Sequence, residues 1–240
     1  MATKRVLWIT GGGSGMGEAT ALAAAADGWT VALSGRRVDR LEQVAARVHA
    51  AGGTAAVLPL DAGDPAAVVA ARDALLRDHG RIDGLVLAAG LNRPARRWDD
   101  QSLDDFRAIV DTNLTAVVTV VDAALPALRA VGGVVVVVSS YAGWSFQPGA
   151  GVAYSASKTA LGSVVRTLNQ QEAEHGVRAT HLCPGDVATD FLDQRPVVPD
   201  EAARRVMLQP DDVARSVAFV LGSPSHVRVD ELVISPVAQR

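Results

Sequence analysis

Apolar residues fall along this chain in two alternating textures. Short runs rich in β-branched residues give way to longer, alanine-rich stretches whose apolar positions recur with the period of a helix. Val6-Leu7-Trp8-Ile9 reads as a buried strand, and residues 18–27, with Ala19, Leu22, Ala23 and Ala26 on one side, read as a helix stopped by Gly28. The alternation continues with a strand at 30–34, a helix at 38–51, a strand at 55–58, a helix at Pro65–His79 and a strand at 85–88. A charged loop at 92–100 leads into a long helix at 103–130. Val134–Val138 is an unbroken run of valine, a uniform apolarity that suits a parallel strand covered on both faces. A helix at 154–175, a strand at 179–182, a helix at 211–221 and a strand at Glu231–Ile234 complete the series.

Seven strands, nearly all separated by helices, predict an α/β fold: a Rossmann-like, doubly wound parallel sheet with helices on both faces. No Pro/Gly/Ser-rich linker, internal repeat or low-complexity tract interrupts the chain, so residues 1–240 are expected to form one domain. The least regular stretch, residues 186–209 with Pro196 and Pro199, is a candidate lid, because irregular segments of that length inside a compact domain are often functional.

Composition narrows the setting. Of 240 residues, 49% are hydrophobic and 20% charged, enough for a packed core and unlike a disordered or collagen-like chain. The net charge is −3 without any block of like charges, so neither nucleic acid nor an anionic membrane is an expected partner. The most hydrophobic run, Val134–Val138, falls far short of the ~20 residues needed to span a bilayer. Cys183 is the lone cysteine, which excludes an intrachain disulfide framework and points to a reducing compartment. The N-terminal residues run into strand-like sequence with no signal-peptide core. A soluble, cytoplasmic protein is expected.

Thr10-Gly11-Gly12-Gly13-Ser14-Gly15-Met16-Gly17 lies between the first predicted strand and the first helix. Glycine there permits a sharp turn and lets backbone N–H groups approach a pyrophosphate, while the helix N-terminus adds unpaired donors and a favourable dipole. A purely structural turn would use glycine too, but the strand-before, helix-after context favours a nucleotide. At the end of the second strand a carboxylate would accept a ribose 2′-hydroxyl, whereas arginine would accommodate a 2′-phosphate. The chain has Ser34-Gly35-Arg36-Arg37 there, with no carboxylate before Asp39. NADP(H) is favoured because guanidinium forks well with phosphate. NAD(H) is the alternative if Arg36 and Arg37 are an ordinary solvated helix start.

The chain has two tyrosines and two lysines, and one of each stands four residues apart in Tyr154-Ser155-Ala156-Ser157-Lys158. Four residues is about one helical turn, so both side chains project from one face. A phenol with a pKa near 10 is a poor base at neutral pH, and a nearby ammonium favours the phenolate. A tyrosine ring packed on a lysine stem is the structural alternative.

Thr10 to Gly17, Asn113, Ser140, Tyr154-Ser155-Ala156-Ser157-Lys158 and Pro184-Gly185 together resemble the short-chain dehydrogenase/reductase family, in its single-domain branch, over residues 5–234. The resemblance implies roles. Tyr154 would be the general acid/base, and Lys158 would hold the nicotinamide ribose and lower the tyrosine pKa. Ser140 would orient the reacting oxygen, and Asn113 would anchor a water linking Lys158 to solvent. Gly11, Gly13, Ser14, Gly15, Met16 and Gly17 would cradle the pyrophosphate, with Arg36 and Arg37 at the ribose phosphate. Asp61 and Ala62 would meet the adenine side, and Ala89, Gly90, Pro184, Gly185, Val187 and Thr189 would line the rest of the cofactor site. Ser140 capping a loop, Asn113 satisfying a helix backbone and Asp61 capping a helix are the ordinary alternatives.

Three departures from the family pattern stand out. Leu87-Ala88-Ala89-Gly90 replaces the usual Asn-Asn-Ala-Gly, which puts a tie within the central sheet in question. Ser140 and Tyr154 are 14 apart, one more than the commonest spacing, so the intervening loop shapes the pocket differently. The C-terminal Leu232-Val233-Ile234-Ser235-Pro236 resembles the ending of hydroxy-acid and serine dehydrogenase members. The substrate pocket is expected from Asn92, Trp144, Phe146, Gln147, Asp186 and Phe191, the aromatic residues suggesting an apolar substrate body. Arg93, Arg96, Arg97 and Arg195 would allow an anion, although Arg96, Arg97, Asp99 and Asp100 read more simply as a solvated loop. The histidines lack ligand spacing, so no metal is expected.

The leading reading is an NADP(H)-dependent oxidoreductase interconverting a ketone or aldehyde and its alcohol. A 3-oxoacyl-thioester reductase or 3-hydroxy acid dehydrogenase is the narrower alternative, and a non-catalytic nucleotide-binding regulator the alternative of another class. The family resemblance also implies a homodimer or homotetramer built on the two longest helices, at 103–130 and 154–175.

Overall fold

Every predicted strand forms, and all of them pair in parallel. The computed structural model describes residues 4–239; Met1, Ala2, Thr3 and Arg240, which the sequence reading included in the domain, lie outside the described residues. The chain runs β1 (Val6–Thr10), α1 (Gly15–Ala26), β2 (Thr30–Gly35), α2 (Val38–Ala50), β3 (Thr54–Pro59), α3 (Pro65–His79) and β4 (Gly84–Leu87). Then follow α4 (Leu103–Val110), α5 (Ala116–Arg129), β5 (Val134–Val138), α6 (Tyr141–Trp144) and α7 (Val152–Gln171). The last elements are β6 (Arg178–Pro184), α8 (Glu201–Arg205), α9 (Pro210–Gly222) and β7 (Glu231–Ile234). The strand order is β3-β2-β1-β4-β5-β6-β7. After β3 the chain crosses back to the far side of β1, and the crevice beyond β1 and β4 is where such sheets bind ligands.

The valine strand shows how the sheet is held. Val134, Val136 and Val138 join Leu7, Ile9, Val31 and Leu33 beneath α1, α2 and α9. Val135 and Val137 join Trp8, Leu85 and Leu87 beneath α3, α5 and α7. Burying one valine side chain contributes roughly 1.5–3 kcal/mol, so an all-apolar strand is stable only where both faces are covered, as here. Caps set the helix ends. Asp64 accepts from the Ala66 and Ala67 N–H groups at the start of α3, and Gly80 closes that helix in the left-handed conformation.

The structure corrects the sequence reading of the helix at 103–130. It is broken by a π-helical turn, Asp111–Thr115, which holds the buried Asn113. A turn with an extra residue is invisible to hydrophobic periodicity and often marks a functional position. The run Leu103–Arg129 is long and apolar enough, by length and composition, to cross a membrane. In this fold Val117, Val120, Ala124 and Leu128 are packed into the core layer beneath the sheet. Helix α7 also starts earlier than expected, at Val152, with Gly151 as its N-cap at φ 88°. The presumed lid is strapped at its base, where Val187 bridges to Leu208 and the Ala188 N–H donates to the Leu208 carbonyl at 2.8 Å. Arg204 ties its interior, pairing with Asp193 at 2.6 Å and donating to the Thr189 and Pro199 carbonyls.

The far ends of α5 and α7 are joined by a two-pronged ion pair, Arg129 Nε and Nη2 to the Glu172 carboxylate, both at 2.6 Å. Arg129 holds the Glu172 carboxyl below the usual carboxylate range. A depressed carboxyl stabilises the fold above the unfolded-state pKa and loses that contribution as pH falls through its own lower value. Urea midpoints should therefore separate wild type from Glu172→Gln at pH 7, and the gap should begin to close only below about pH 4, as the lowered Glu172 carboxyl takes up its proton.

Candidate active site

The glycine-rich turn is shaped by space as well as by conformation. Gly11 sits at φ 68°, and a Cβ there would lie 2.8 Å from the Ala89 nitrogen. A Cβ on Gly17 would overlap the Gly11 carbonyl oxygen, so the first turn of α1 lies directly on the loop. Ser14 is the N-cap of α1, yet its side chain caps nothing; its hydroxyl accepts from Arg37 Nη2 at 2.9 Å. The first N–H groups of α1 are thus left for a ligand. Gly11, Gly13, Ser14, Gly15, Met16 and Gly17 all line a cavity of about 1080 Å³ at the crevice beyond β1 and β4.

Arg36, Arg37, Asp61, Ala62, Ala89, Gly90, Pro184, Gly185, Val187 and Thr189 line the same cavity. Arg36 and Arg37 are exposed just past β2, and the nearest following carboxylate, Asp39, lies inside the first turn of α2. Asp61 does not cap α3, a task that falls to Asp64; its Oδ1 accepts from the Gly63 N–H at 2.9 Å. Glycine cradle, uncapped helix terminus and cavity together fit a dinucleotide.

Tyr154 and Lys158 share one face of α7, with Lys158 Nζ 5.8 Å from the Tyr154 ring centroid. Lys158 is buried and donates to the Val138 carbonyl at the end of β5, at 3.0 Å. Burial pulls its pKa down to about 8. Ser140 caps the short helix α6, accepting from the Ala142 N–H at 3.2 Å. A Cβ on Gly143 would lie 2.5 Å from Ser139 Oγ and 2.6 Å from the Lys158 carbonyl oxygen. Only glycine lets α6 press this closely on α7 and bring Ser140 toward Tyr154. Asn113 has both amide hydrogens engaged, with the Leu91 carbonyl at 2.9 Å and Ser157 Oγ at 3.2 Å, while its Oδ1 accepts from the Leu91 N–H at 2.7 Å. Ser157 Oγ donates in turn to the Tyr154 carbonyl at 2.8 Å. The amide of Asn113 therefore fixes the loop after β4 to α7.

Burial raises the Tyr154 pKa, and the Ser140 hydroxyl, then Arg195 and Arg96, pull the other way; Asp186 adds to the rise. Arg195 and Arg96 add cationic charge that favours the phenolate, while the Lys158 ammonium, 5.8 Å from the Tyr154 ring, donates to the Val138 carbonyl. Spacing alone reveals neighbours on the same helix, so the two arginines, which come from other loops, lie beyond its reach.

The pocket wall differs from the expectation in two respects. Trp144 and Phe146 do not line the cavity: they are 49% and 81% exposed, and Trp144 packs edge-on against Tyr141. The backbone is extended at Ser145 and Gln147, which sends alternate side chains to opposite sides, so Gln147 faces the cavity and Phe146 faces outward. Conversely, Arg96 is not solvated. It is 7% exposed, lines the cavity, and donates to the carbonyls of Arg93, Gly149 and Gln194. Arg97, Asp99 and Asp100 are exposed as read, whereas Trp98, expected with the other aromatic residues around the substrate, is exposed and does not line the cavity. Asn92, Asp186 and Phe191 do line the cavity, with the Phe191 ring 6.0 Å from that of Tyr154.

Gln239 and Gln194 were missed. Gln239 Oε1 accepts from the Asp186 N–H at 2.9 Å, and Gln194 Oε1 from the Asn92 N–H at 2.8 Å; neither belongs to a motif. Sequence spacing also hid a small cluster in which His181, Cys183 and Glu231 bring their ligand-type atoms within 4.8 Å, because Glu231 arrives from the neighbouring strand. His181 Nδ1 lies 3.2 Å from Glu231 Oε2, and burial pushes the Cys183 thiol up to about 12.

With fold and site in place, the comparisons agree. Residues 5–197 match the short chain dehydrogenase family. The chain is 34% identical over 240 residues to the glycine betaine reductase ATRR of Emericella nidulans, covering 97% of this chain but only 19% of that protein, so it spans about a fifth of that relative. It is 38% identical over 239 residues to an uncharacterized oxidoreductase of Mycobacterium tuberculosis, covering 97% and 91% of the two chains. An alcohol dehydrogenase from the archaeon Thermococcus sibiricus, solved with 5-hydroxy-NADP, superposes with a TM-score of 0.89 at 33% identity, over 99% of this chain and 98% of that one. The chain belongs to the short-chain dehydrogenase/reductase family. Its fold is that family's nucleotide-binding fold, and the protein is an oxidoreductase.

Gly17→Ala is expected to force α1 off the turn, lowering stability by about 1–3 kcal/mol and weakening nucleotide binding. Thermal melts with and without nucleotide check both effects.

Proposed function

We propose that this protein transfers a hydride between NADP(H) and a small carbonyl or alcohol substrate, with Tyr154 as the general acid/base. One observation carries the reading: Tyr154, Ser140 and Lys158 converge on the same cavity that begins at the glycine-rich turn. The bound cofactor supplies or accepts the hydride. Arg36 and Arg37 would hold its 2′-phosphate, the turn from Gly11 to Gly17 its pyrophosphate, and Asp61 its adenine side. The arginines beyond β2 and the NADP analogue in the similar archaeal structure both support NADP(H) over NAD(H).

In reduction, the Tyr154 hydroxyl gives its proton to the carbonyl oxygen, and in oxidation the phenolate takes it from the alcohol. The Ser140 hydroxyl, fixed by the α6 cap, orients that oxygen. Lys158, seated on Val138, presents a fixed ammonium to the ribose side of the site. Asn113 holds the Leu91 loop against α7 and so keeps the pocket floor in register with Tyr154.

Tyr154→Phe should leave NADPH binding intact while lowering turnover at least ~10²-fold, read by fluorescence titration beside steady-state rates; near-normal turnover would remove Tyr154 from the role. Arg36→Ala should weaken NADPH by about 1–2 kcal/mol and leave NADH nearly unchanged, so equal losses would refute the phosphate contact. The Tyr154 pKa lies above its ordinary value, so alcohol oxidation, which needs the phenolate, should accelerate with pH through neutrality without a plateau. Carbonyl reduction uses the phenol and should hold steady through neutrality, and both directions should fall off above about 8 as Lys158 loses its charge. The pH dependence of kcat/KM in both directions checks the pair.

A further inference from the structure

The two buried carboxylates among the described residues are both matched. Asp83 is paired with Arg81, and Glu172 with Arg129. The two buried cations differ. Lys158 and Arg96 have no carboxylate within 4.0 Å among the described residues, and both line the same cavity. A charge taken out of water without a counter-ion is costly, and such a group persists where a ligand completes it. Lys158 belongs to the proton-transfer apparatus. Arg96 acts on the Tyr154 phenol only as a nearby charge and carries no proton there.

The setting of Arg96 is built and rigid. Its Nε donates to the Arg93 carbonyl at 2.7 Å, Nη1 to Gly149 at 3.4 Å, and Nη2 to Gln194. Three of its five N–H groups are thus spent on backbone, leaving one on each terminal nitrogen. Gly151, the N-cap of the catalytic helix, presses on the Arg96 stem, where a Cβ would lie 2.6 Å from the Arg96 Cβ. Asn92 strengthens the same corner by donating to the Ala150 carbonyl at 3.1 Å. Arg195 adds a second cation from the lid, tethered to Asp186. Both guanidiniums line the cavity that holds Tyr154.

Resting on the oxidoreductase reading above, we propose that Arg96 is the substrate-recognising residue. The substrate is a short hydroxy or oxo compound carrying an oxyanion, such as a carboxylate or sulfonate, a few atoms from the reacting carbon. The two free N–H groups of Arg96 hold the oxyanion, Arg195 closes on it, and the Phe191 ring covers the carbon chain beside Tyr154. This specificity rests on a side chain that the loop sequence alone presents as one of several exposed charges.

The test compares acids with their neutral esters: 3-hydroxybutanoate with methyl 3-hydroxybutanoate, and 2-hydroxyethanesulfonate as the sulfonate arm. In the wild type, kcat/KM should favour the acids over the ester by about 10²-fold or more. In Arg96→Gln that ratio should collapse to within a few-fold, with Arg96→Lys intermediate. A wild-type ratio near one, or a ratio that survives Arg96→Gln, overturns the proposal and shows Arg96 to be a brace only. Should Arg96→Gln fail to fold, calorimetric titration of malonate into the wild-type protein with NADP⁺ decides: a Kd below about 1 mM supports the oxyanion site, and no binding refutes it. Turnover confined to neutral alcohols sinks the oxyanion site and leaves the oxidoreductase reading standing. Malonate binding with no turnover of any substrate does the reverse.

Discussion

The hydrogen bond from a buried ammonium to the last carbonyl of the central valine strand organises this molecule. Lys158 reaches from α7 to Val138, and so the helix that carries Tyr154 is docked at a fixed height against the carboxyl end of β5. Everything at the site is adjusted to that docking. Gly143 gives up a side chain so that α6 can lie on α7, and Ser139 Oγ donates to the Lys158 carbonyl at 3.0 Å. The π turn delivers Asn113 to the same helix through Ser157. A buried amine is tolerable there because it meets a strong acceptor, and its lowered proton affinity is the visible cost of the position.

The electrostatics of the pocket follow from which elements meet at the mouth. The phenol is pushed toward its neutral form by burial, while two arginines from separate loops push it back. One of those arginines is held by backbone carbonyls alone, the other by a carboxylate on the strand-six loop. The loop at 92–97, the loop before α7 and the lid therefore form one structural unit around Tyr154, joined through Arg96, Asn92 and Gln194.

The fold was readable because strands and helices announce themselves by local period, and the uniform apolarity of Val134–Val138 can be satisfied only between two helical layers. The Tyr154–Lys158 pair and the glycine turn were readable for a related reason: each is a local pattern with a chemical purpose. What escaped depended on distance in sequence. Arg96 looked like one charge among Arg97, Asp99 and Asp100, because its burial is decided by Gly149, Gly151 and Gln194. Phe146 and Trp144 looked like pocket residues because their number in the chain was right, while the extended backbone around them turned them outward. The π turn escaped because a single surplus residue leaves the apolar pattern almost undisturbed.

That surplus residue makes the long helix a counted object. An α-helix advances by about 100° per residue, so trimming one position from Asp111–Thr115 would let α4 and α5 fuse into a smooth rod and swing one half by roughly a quarter-turn against the other. Val117, Val120 and Leu128 would keep their places only if Asn113 lost its hold on Leu91, or the reverse. Chain length at this bend thus works as a gauge: the number of residues, more than their identity, decides whether the floor of the pocket and the interior of the protein can be satisfied at once.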